Sequence, residues 1–334
     1  MRVKKMAEIA SKKRVLITGT AGFIGFHLAK LLLDEGFVIH GYDGMTNYYD
    51  PTLKQRRHQI LLQNSNFETT EGMLEDQVLF DHVADEFAPD VIVHLAAQAG
   101  VRYSLENPRA YLESNIYGFQ RVLEFVHEKK IKQFVYASSS SVYGQNSEQP
   151  FSENASCDSP ESYYAATKRA NELMAKAYSH TFSIPSVGLR FFTVYGPWGR
   201  PDMAPFIFAD AAYNEKPINV YNYGKQSRDF TYIDDIVQGI YAIVSSYDFK
   251  DDAVVCNIGN GAPVDLMDFI GCIEKHTGFE IKKNFVEAQK GDVTSTYANI
   301  DKLLNITGYH PQIDINLGVK KFIDWFKIYY GYVH

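Results

Sequence analysis

The sequence predicts an α/β protein: a doubly wound parallel sheet with a smaller, mixed C-terminal lobe. Three observations predict it. Short apolar runs alternate with helical stretches through roughly the first 190 residues. A glycine-rich turn follows the first of those runs. Beyond about residue 196 the alternation loosens into loops rich in Gly, Pro and aromatic residues. The chain has 334 residues, 46% apolar and 22% charged. That is enough for one large domain or two modest ones, with a core that needs neither metal nor disulfide.

Taken in order, "RVLIT" (14–18) is a β-branched run and reads as the first strand. A helix follows from about Phe23 to Glu35, with Gly36 suited to its C-terminal cap. "FVIHGYD" (37–43) reads as a second strand, "FETTEG" (67–72) as a weaker third, "DVIVHLA" (90–96) as a fourth and "QFVYASS" (133–139) as a fifth. Helices are expected near 52–63, 76–87 and 106–129. "SYYAATKRANELMAKAYSHTF" (162–182) reads as one helix and "SVGLRFF" (186–192) as a further strand. We expect residues 14–190 to form the first domain, with segments of about 228–260 returning to it. Residues 191–334 then form the second lobe, and 1–13 a flexible extension.

The net charge of −7 argues against a nucleic-acid-binding surface, so an anionic ligand must be held by local positive groups. Cys157, Cys256 and Cys272 have no metal-ligand spacing and read as reduced structural residues, with no metal site expected. The start, "MRVKKMAEIASKKR", lacks an apolar h-region. No apolar run approaches the roughly 20 residues that span a membrane. The expected compartment is the cytoplasm.

"TGTAGFIG" places Gly19, Gly22 and Gly25 between the first strand and its helix. Glycine there permits a tight turn, close approach to a pyrophosphate and close helix–strand packing, and the helix N-terminus offers free N–H groups. Asp43 ends the second strand, 18 residues after Gly25. A carboxylate there accepts hydrogen bonds from ribose hydroxyls and repels a 2′-phosphate, which favours NAD over NADP. Arg56 and Arg57 stand nearby and leave NADP as the alternative.

"YAATK" puts Tyr164 and Lys168 on one face of a helix. An ammonium about 4 Å from a phenol, at an effective dielectric of about 20, favours the phenolate by about 4 kcal/mol, or about three pKa units. Tyr164 is then expected to act as a base near neutral pH. Just before this helix, "ASSSSVYG" (137–144) stacks four serines at the end of an apolar run.

The glycine turn, "ASSSSVYG" and "YAATK", in that order and at those spacings, resemble the extended short-chain dehydrogenase/reductase family, over nearly the whole chain from Arg14. The resemblance implies a Rossmann domain for NAD, a Ser–Tyr–Lys catalytic set and a C-terminal lobe for a nucleotide sugar. In the sugar-epimerase branch the catalytic serine is third before the "VYG" valine, which is Ser139 here. The resemblance places Phe23, Ile24, Asn47, Met73 and Leu74 about the NAD site, beside the glycines and Asp43. Leu95, Ala96, Ala97, Ser114 and Phe192 complete it, with Tyr164 and Lys168. Related dehydratases carry Asp-Glu, and related decarboxylases Glu, where this chain has Ser140 and Ser141. Those reactions call for a proton donor that two serines do not supply, which leaves reversible oxidation and reduction of a sugar hydroxyl.

"LRFFTVYGPWGRPDMAPF" (189–206) resembles the UDP-glucuronate 4-epimerases, as do "AAQAGVRYSLENP" (96–108), "RDFTYIDDI" (228–236) and "KGDV" (290–293). This implies that Thr193 and Arg200 lie near the sugar carboxylate with Ser139, Ser140 and Ser141. Arg228 and Asp292 would hold the uridine diphosphate with Gln289 beside them, and Met203 and Val220 belong to the same substrate site. For Arg102 a substrate role and a structural one are both open. Met73 stands where the family usually has an Asp that binds the adenine amino group, and Gly44 where Asn is common; NAD is expected to leave this protein more readily than its relatives. The rival readings are a UDP-glucose/galactose or N-acetylhexosamine 4-epimerase, a UDP-glucuronate decarboxylase, and an NAD-binding module without turnover. The resemblance also implies a homodimer through a four-helix bundle near 106–128 and 162–181. Tyr111, Ile116, Phe119, Leu123 and Val126 form an apolar stripe that suits either that interface or the chain's own core.

Overall fold

The computed structural model describes residues 12–145, 148–250, 252–288 and 294–332. The expected N-terminal extension therefore lies outside the described residues, except for Lys12 and Lys13. The first half alternates strands and helices as the apolar runs require. Strands β1 (Arg14–Thr18), β2 (Val38–Asp43), β3 (Phe67–Glu71), β4 (Val91–His94), β5 (Gln133–Ser139) and β6 (Ser186–Phe191) are all parallel. Helices α1 (Phe23–Asp34), α2 (Pro51–Leu61) and α3 (Gln77–Phe87) make the first crossovers. Val15 to Thr18 and Val91 to Val93 are fully buried, because helices cover both faces of the sheet.

The segment expected as one helix over 106–129 is broken. It runs as α4 (Tyr103–Glu106), α5 (Pro108–Tyr111), a π-helical turn over Leu112–Tyr117, and α6 (Gly118–Glu128). Pro108 bars its predecessor from helical geometry, and Asn107 takes φ −135° and caps α5 with its side chain. Helix α7 (Tyr163–Phe182) then leads to β6. The apolar stripe faces the chain's own core: Tyr111, Phe119, Leu123 and Val126 are at most 1% exposed, and Ile116 is part-buried.

After β6 the chain leaves the large sheet. Strands β7 (Thr193–Tyr195), β9 (Ser227–Tyr232), β11 (Pro263–Asp265) and β13 (Ser295–Thr296) form a small mixed sheet, and β8 (Ile218–Val220) pairs with β12 (Lys283–Phe285). Between them, helix α8 (Ala204–Tyr213) precedes β8, and helix α9 (Ile233–Ser246) lies along α1. Strand β10 (Ala253–Ile258) pairs in parallel with β6, so the large sheet runs β10-β6-β5-β4-β1-β2-β3. Of the segment expected to return, α9 and β10 lie on the large sheet, whereas β9 belongs to the small one. A single apolar core continues from Val15 and Val93 through Tyr195, Phe206 and Phe230 to Phe322 and Phe326.

This topology fixes where a ligand binds. The chain moves outward from β1 to β2 and β3, then crosses back to β4 on the other side of β1. A crevice opens at that reversal, beyond the carboxyl ends of the strands. Thr18 pairs with His94, and Ser139 with Phe191, so these strand ends share one edge.

Candidate active site

The glycine turn is shaped by contacts that no side chain could share. Gly19 has φ +82°, and a Cβ on it would stand 2.7 Å from the Ala96 backbone nitrogen. A Cβ on Gly22 or Gly25 would stand 2.9 or 2.1 Å from the Gly19 carbonyl oxygen. The N-cap residue of α1 is Gly22, and no side chain caps that helix, so its first amides face the crevice. Asp43 is oriented by two backbone amides: Ala21 N–H donates to Oδ2 and Met45 N–H to Oδ1, each at 2.9 Å. Each oxygen keeps a lone pair for a ribose hydroxyl. The cradle and this carboxylate fit a dinucleotide.

The basic pair beside it does not point to a 2′-phosphate. Arg57 is fully buried and donates to the Ala21, Trp198 and Gly199 carbonyls and the Tyr49 hydroxyl. Arg56 lies over the Tyr329 ring, 4.9 Å from its centroid. Lys54, which sequence reasoning missed, lines the cofactor end of the cavity and donates to the Thr46 carbonyl at 2.6 Å. Met73 fills the space above Gly44: a Cβ on that glycine would stand 2.4 Å from the thioether sulfur. The two departures from the family pattern thus occupy one spot.

Ser139 ends β5 and caps the 3₁₀ turn that follows. Its Oγ accepts from Ser141 N–H at 3.2 Å and donates to Ser141 Oγ at 3.1 Å. Ser138 points the other way. Its hydroxyl donates to Glu172 on α7 at 2.6 Å. Glu172 also accepts from Arg190 on β6 through Nε and Nη2, each at 2.8 Å, and from Arg169 at 3.0 Å. Burial alone would raise the Glu172 pKa, but hydrogen bonds and charge from Arg190, with help from Ser138 and Arg169, hold it below its ordinary value. One carboxylate therefore ties β5, which ends in Ser139, to α7, which carries Tyr164 and Lys168, and joins both to the neighbouring strand β6.

Lys168 is 3% exposed, and burial lowers its pKa from 10.5 to about 8. Its ammonium donates to the Ala137 carbonyl at 3.0 Å. The expected depression of the Tyr164 phenol by Lys168 is not found. Burial pushes that phenol up, while Ser139 and Arg200 pull the other way. The helical spacing does put both residues on one face, but desolvation outweighs the partners present.

These groups open on one cavity of about 1470 Å³, which runs from the glycine turn to the second lobe. Of the cofactor candidates, the glycines, Phe23, Ile24, Asp43, Asn47, Met73 and Leu74 line it. Leu95, Ala96, Ala97, Ser114, Lys168 and Phe192 do so as well. The loop after β4 is held by Asn115 of the π turn, whose side chain bonds both the N–H and the carbonyl of Gln98. Of the substrate candidates, Ser139 to Ser141, Tyr164, Thr193, Arg200, Met203 and Arg228 share the cavity. Val220 does not: it is fully buried in the apolar core, while Ile218, Asn219 and Tyr221 on either side of it line the cavity. Gln289 and Asp292 lie outside the described residues. Arg200 makes a forked ion pair with Asp202, another residue not foreseen. Arg102 sits 5.2 Å from the Tyr221 ring centroid, across the cleft between the lobes.

The profile of the NAD dependent epimerase/dehydratase family matches residues 15–259. The chain is 47% identical to the probable UDP-glucuronate 4-epimerase of Rhizobium meliloti (strain 1021), over 96% of this chain and 99% of that protein. It is 44% identical to UDP-glucuronate 4-epimerase 1 of Arabidopsis thaliana, over 95% of this chain and 77% of that protein. Among solved structures it is similar to UDP-glucuronic acid 4-epimerase from Bacillus cereus in complex with UDP-glucuronic acid and NAD, with a TM-score of 0.89 and 35% identity over 95% of this chain and 100% of that one.

Proposed function

We propose a specific activity for this chain, which belongs to the NAD dependent epimerase/dehydratase family: it interconverts UDP-glucuronate and UDP-galacturonate by inverting C4. The observation that carries this reading is the convergence of Ser139, Tyr164 and Lys168 on the cavity that the glycine turn opens, with Ser140 and Ser141 where an acid would serve elimination or decarboxylation. NAD, when bound, supplies the hydride acceptor and donor and a positive ring charge. Tyr164 takes the proton from the C4 hydroxyl and later returns it, a transfer of the kind that contributes about 10²–10⁴-fold. Ser139 holds the same oxygen. Lys168, whose burial lowers its pKa to about 8 and leaves it mostly protonated at pH 7, lies on the same helix face to orient the cofactor ribose. The 4-keto sugar turns over about the diphosphate while Arg228 keeps the uridine end anchored. Thr193, Ser140, Ser141 and Arg200 receive the sugar carboxylate.

A second reading, a neutral UDP-hexose 4-epimerase, is favoured by one observation: Arg200 already has a carboxylate partner in Asp202. The test is incubation of the purified protein with UDP-glucuronate and NAD, beside UDP-glucose, with the product sugars resolved by chromatography. UDP-galacturonate is expected. Turnover of UDP-glucose alone, or a product lighter by carbon dioxide, would refute the reading. The proposal includes a homodimer. Leu112 and Leu173, 50% and 53% exposed, lie on the outer face of the π turn and of α7 and suit helix-on-helix contact; light scattering tests it. It also places the enzyme in the cytoplasm; among the described residues no helix is long and apolar enough to cross a membrane.

A further inference from the structure

We propose that Arg57 is a positioning residue for recognition of the sugar carboxylate: it sets the loop that carries Arg200 against the glycine turn. This rests on the reading that Arg200 meets that carboxylate. Arg57 stands on α2, far from both in sequence, yet its guanidinium is fully buried between them. Nη1 donates to the Ala21 carbonyl of the glycine turn at 2.6 Å and to the Tyr49 hydroxyl at 2.8 Å. Nη2 donates to the Trp198 and Gly199 carbonyls at 2.6 and 3.1 Å. Among the described residues no carboxylate forms an ion pair with Arg57. A buried cation whose Nη atoms meet only neutral oxygens and whose Nε has no partner among the described residues is costly, and a greasy side chain would fill the same volume at lower cost. What such a side chain lacks is a rigid fork that reaches two backbone segments at once.

The loop itself needs holding. Trp198 has φ +59°, a left-handed conformation that non-glycine residues disfavour. His27 on α1 bonds the Pro197 carbonyl at 2.8 Å, and burial drives its pKa down to about 3, so the ring stays neutral. Three successive carbonyls, at 197, 198 and 199, are thus each taken by a side chain from the cofactor half of the molecule, immediately before Arg200. The far side of Arg200 is reached as well. Tyr49 accepts from Arg57, and its neighbour Tyr48 donates to Asp202, the partner of Arg200, at 3.1 Å. Arg57 therefore fixes the Arg200 guanidinium from the backbone and from the Tyr48–Tyr49 pair, in register with the turn that seats the cofactor pyrophosphate.

The experiment compares binding of UDP-glucuronate, UDP-glucose and UDP by calorimetry, in NAD-saturated protein carrying Tyr164→Phe to prevent turnover. Lysine keeps the charge of Arg57 and loses the fork. Arg57→Lys is expected to weaken UDP-glucuronate at least tenfold while UDP-glucose and UDP change less than twofold. Arg200→Gln should lower the same glucuronate-to-glucose ratio, and Arg57→Lys added to it should change the ratio no further. Equal weakening of all three ligands, an unchanged ratio in Arg57→Lys, or a full additional effect in the Arg200→Gln background would each overturn the proposal. An Arg200→Gln variant with an unchanged ratio would refute the underlying reading of Arg200 instead, and this inference with it. If circular dichroism shows Arg57→Lys unfolded, His27→Ala carries the test: it releases the Pro197 carbonyl and should lower the ratio in the same direction, and an unchanged ratio there also overturns the proposal.

Discussion

Replacing Lys168 by methionine should make the nucleotide-free protein more stable while removing its activity. The ammonium is buried with one hydrogen bond, to the Ala137 carbonyl. Burial takes its pKa from 10.5 to about 8. At about 1.4 kcal/mol per pH unit, that gap means the charged lysine costs the folded state about 3 kcal/mol at pH 7. Methionine fills similar space without charge, and loss of the hydrogen bond returns about 1 kcal/mol. The net gain is about 2 kcal/mol, or about 3 °C in Tm for a chain of this size. The pH dependence has a fixed sign. Between pH 8 and 10.5 the unfolded wild type binds a proton that the folded form has released, so wild-type stability rises through that window. Methionine has no such term. The advantage of Lys168→Met is therefore full below pH 8 and nearly gone by about pH 9.5. Urea denaturation of both proteins at the two pH values measures it. A variant less stable than wild type at pH 7, or a gap equal at both values, would refute the reasoning.

Tyr164→Phe should lose about 10²–10⁴-fold in turnover and keep its affinity for UDP, read by coupled assay and calorimetry; wild-type turnover would eliminate the proposed base. Gly25→Ala should abolish NAD binding or folding, because its Cβ would stand 2.1 Å from a backbone oxygen that cannot yield. Gly271→Ala is the control: no atom lies within 4 Å of the added Cβ in a helix interior, so thermal unfolding should show a gain of about 1 kcal/mol. Glu172→Ala should cost about 3–5 kcal/mol by leaving Arg190 buried without its partner; a loss below 1 kcal/mol in denaturant titration would show the site relaxing around it.

The central sheet was legible because its inner strands are buried on both faces and so read as mostly apolar runs, whereas the edge strand β3 is polar and half exposed and reads weakly. The catalytic candidates were legible because each sits in a short local motif. What escaped was whatever depends on distant partners. Arg56 and Arg57 look alike in the sequence, yet successive side chains on a helix diverge by about 100°; one stacks on Tyr329 and the other is sealed between two loops. Lys54, His27 and Asp202 carry no motif, since their partners are set by the tertiary fold. The break at Asn107 was readable from Pro108, whereas the π turn after it has no local signature and shows itself only through what Asn115 reaches. The phenol of Tyr164 was misjudged because a pairwise Coulomb sum omits desolvation, which here is the largest contribution.

Strand β10 joins the sheet from more than sixty residues beyond β6. During synthesis this has a consequence for the nascent chain. Until residue 258 has emerged, the margin of β6 stands bare, with a row of unsatisfied amides and carbonyls that invites pairing with other chains. The catalytic half therefore cannot be harvested as a separate fragment by stopping translation after β6: such a truncation would be an aggregation hazard, and the lobe that follows acts as a built-in delay before the sheet can be sealed.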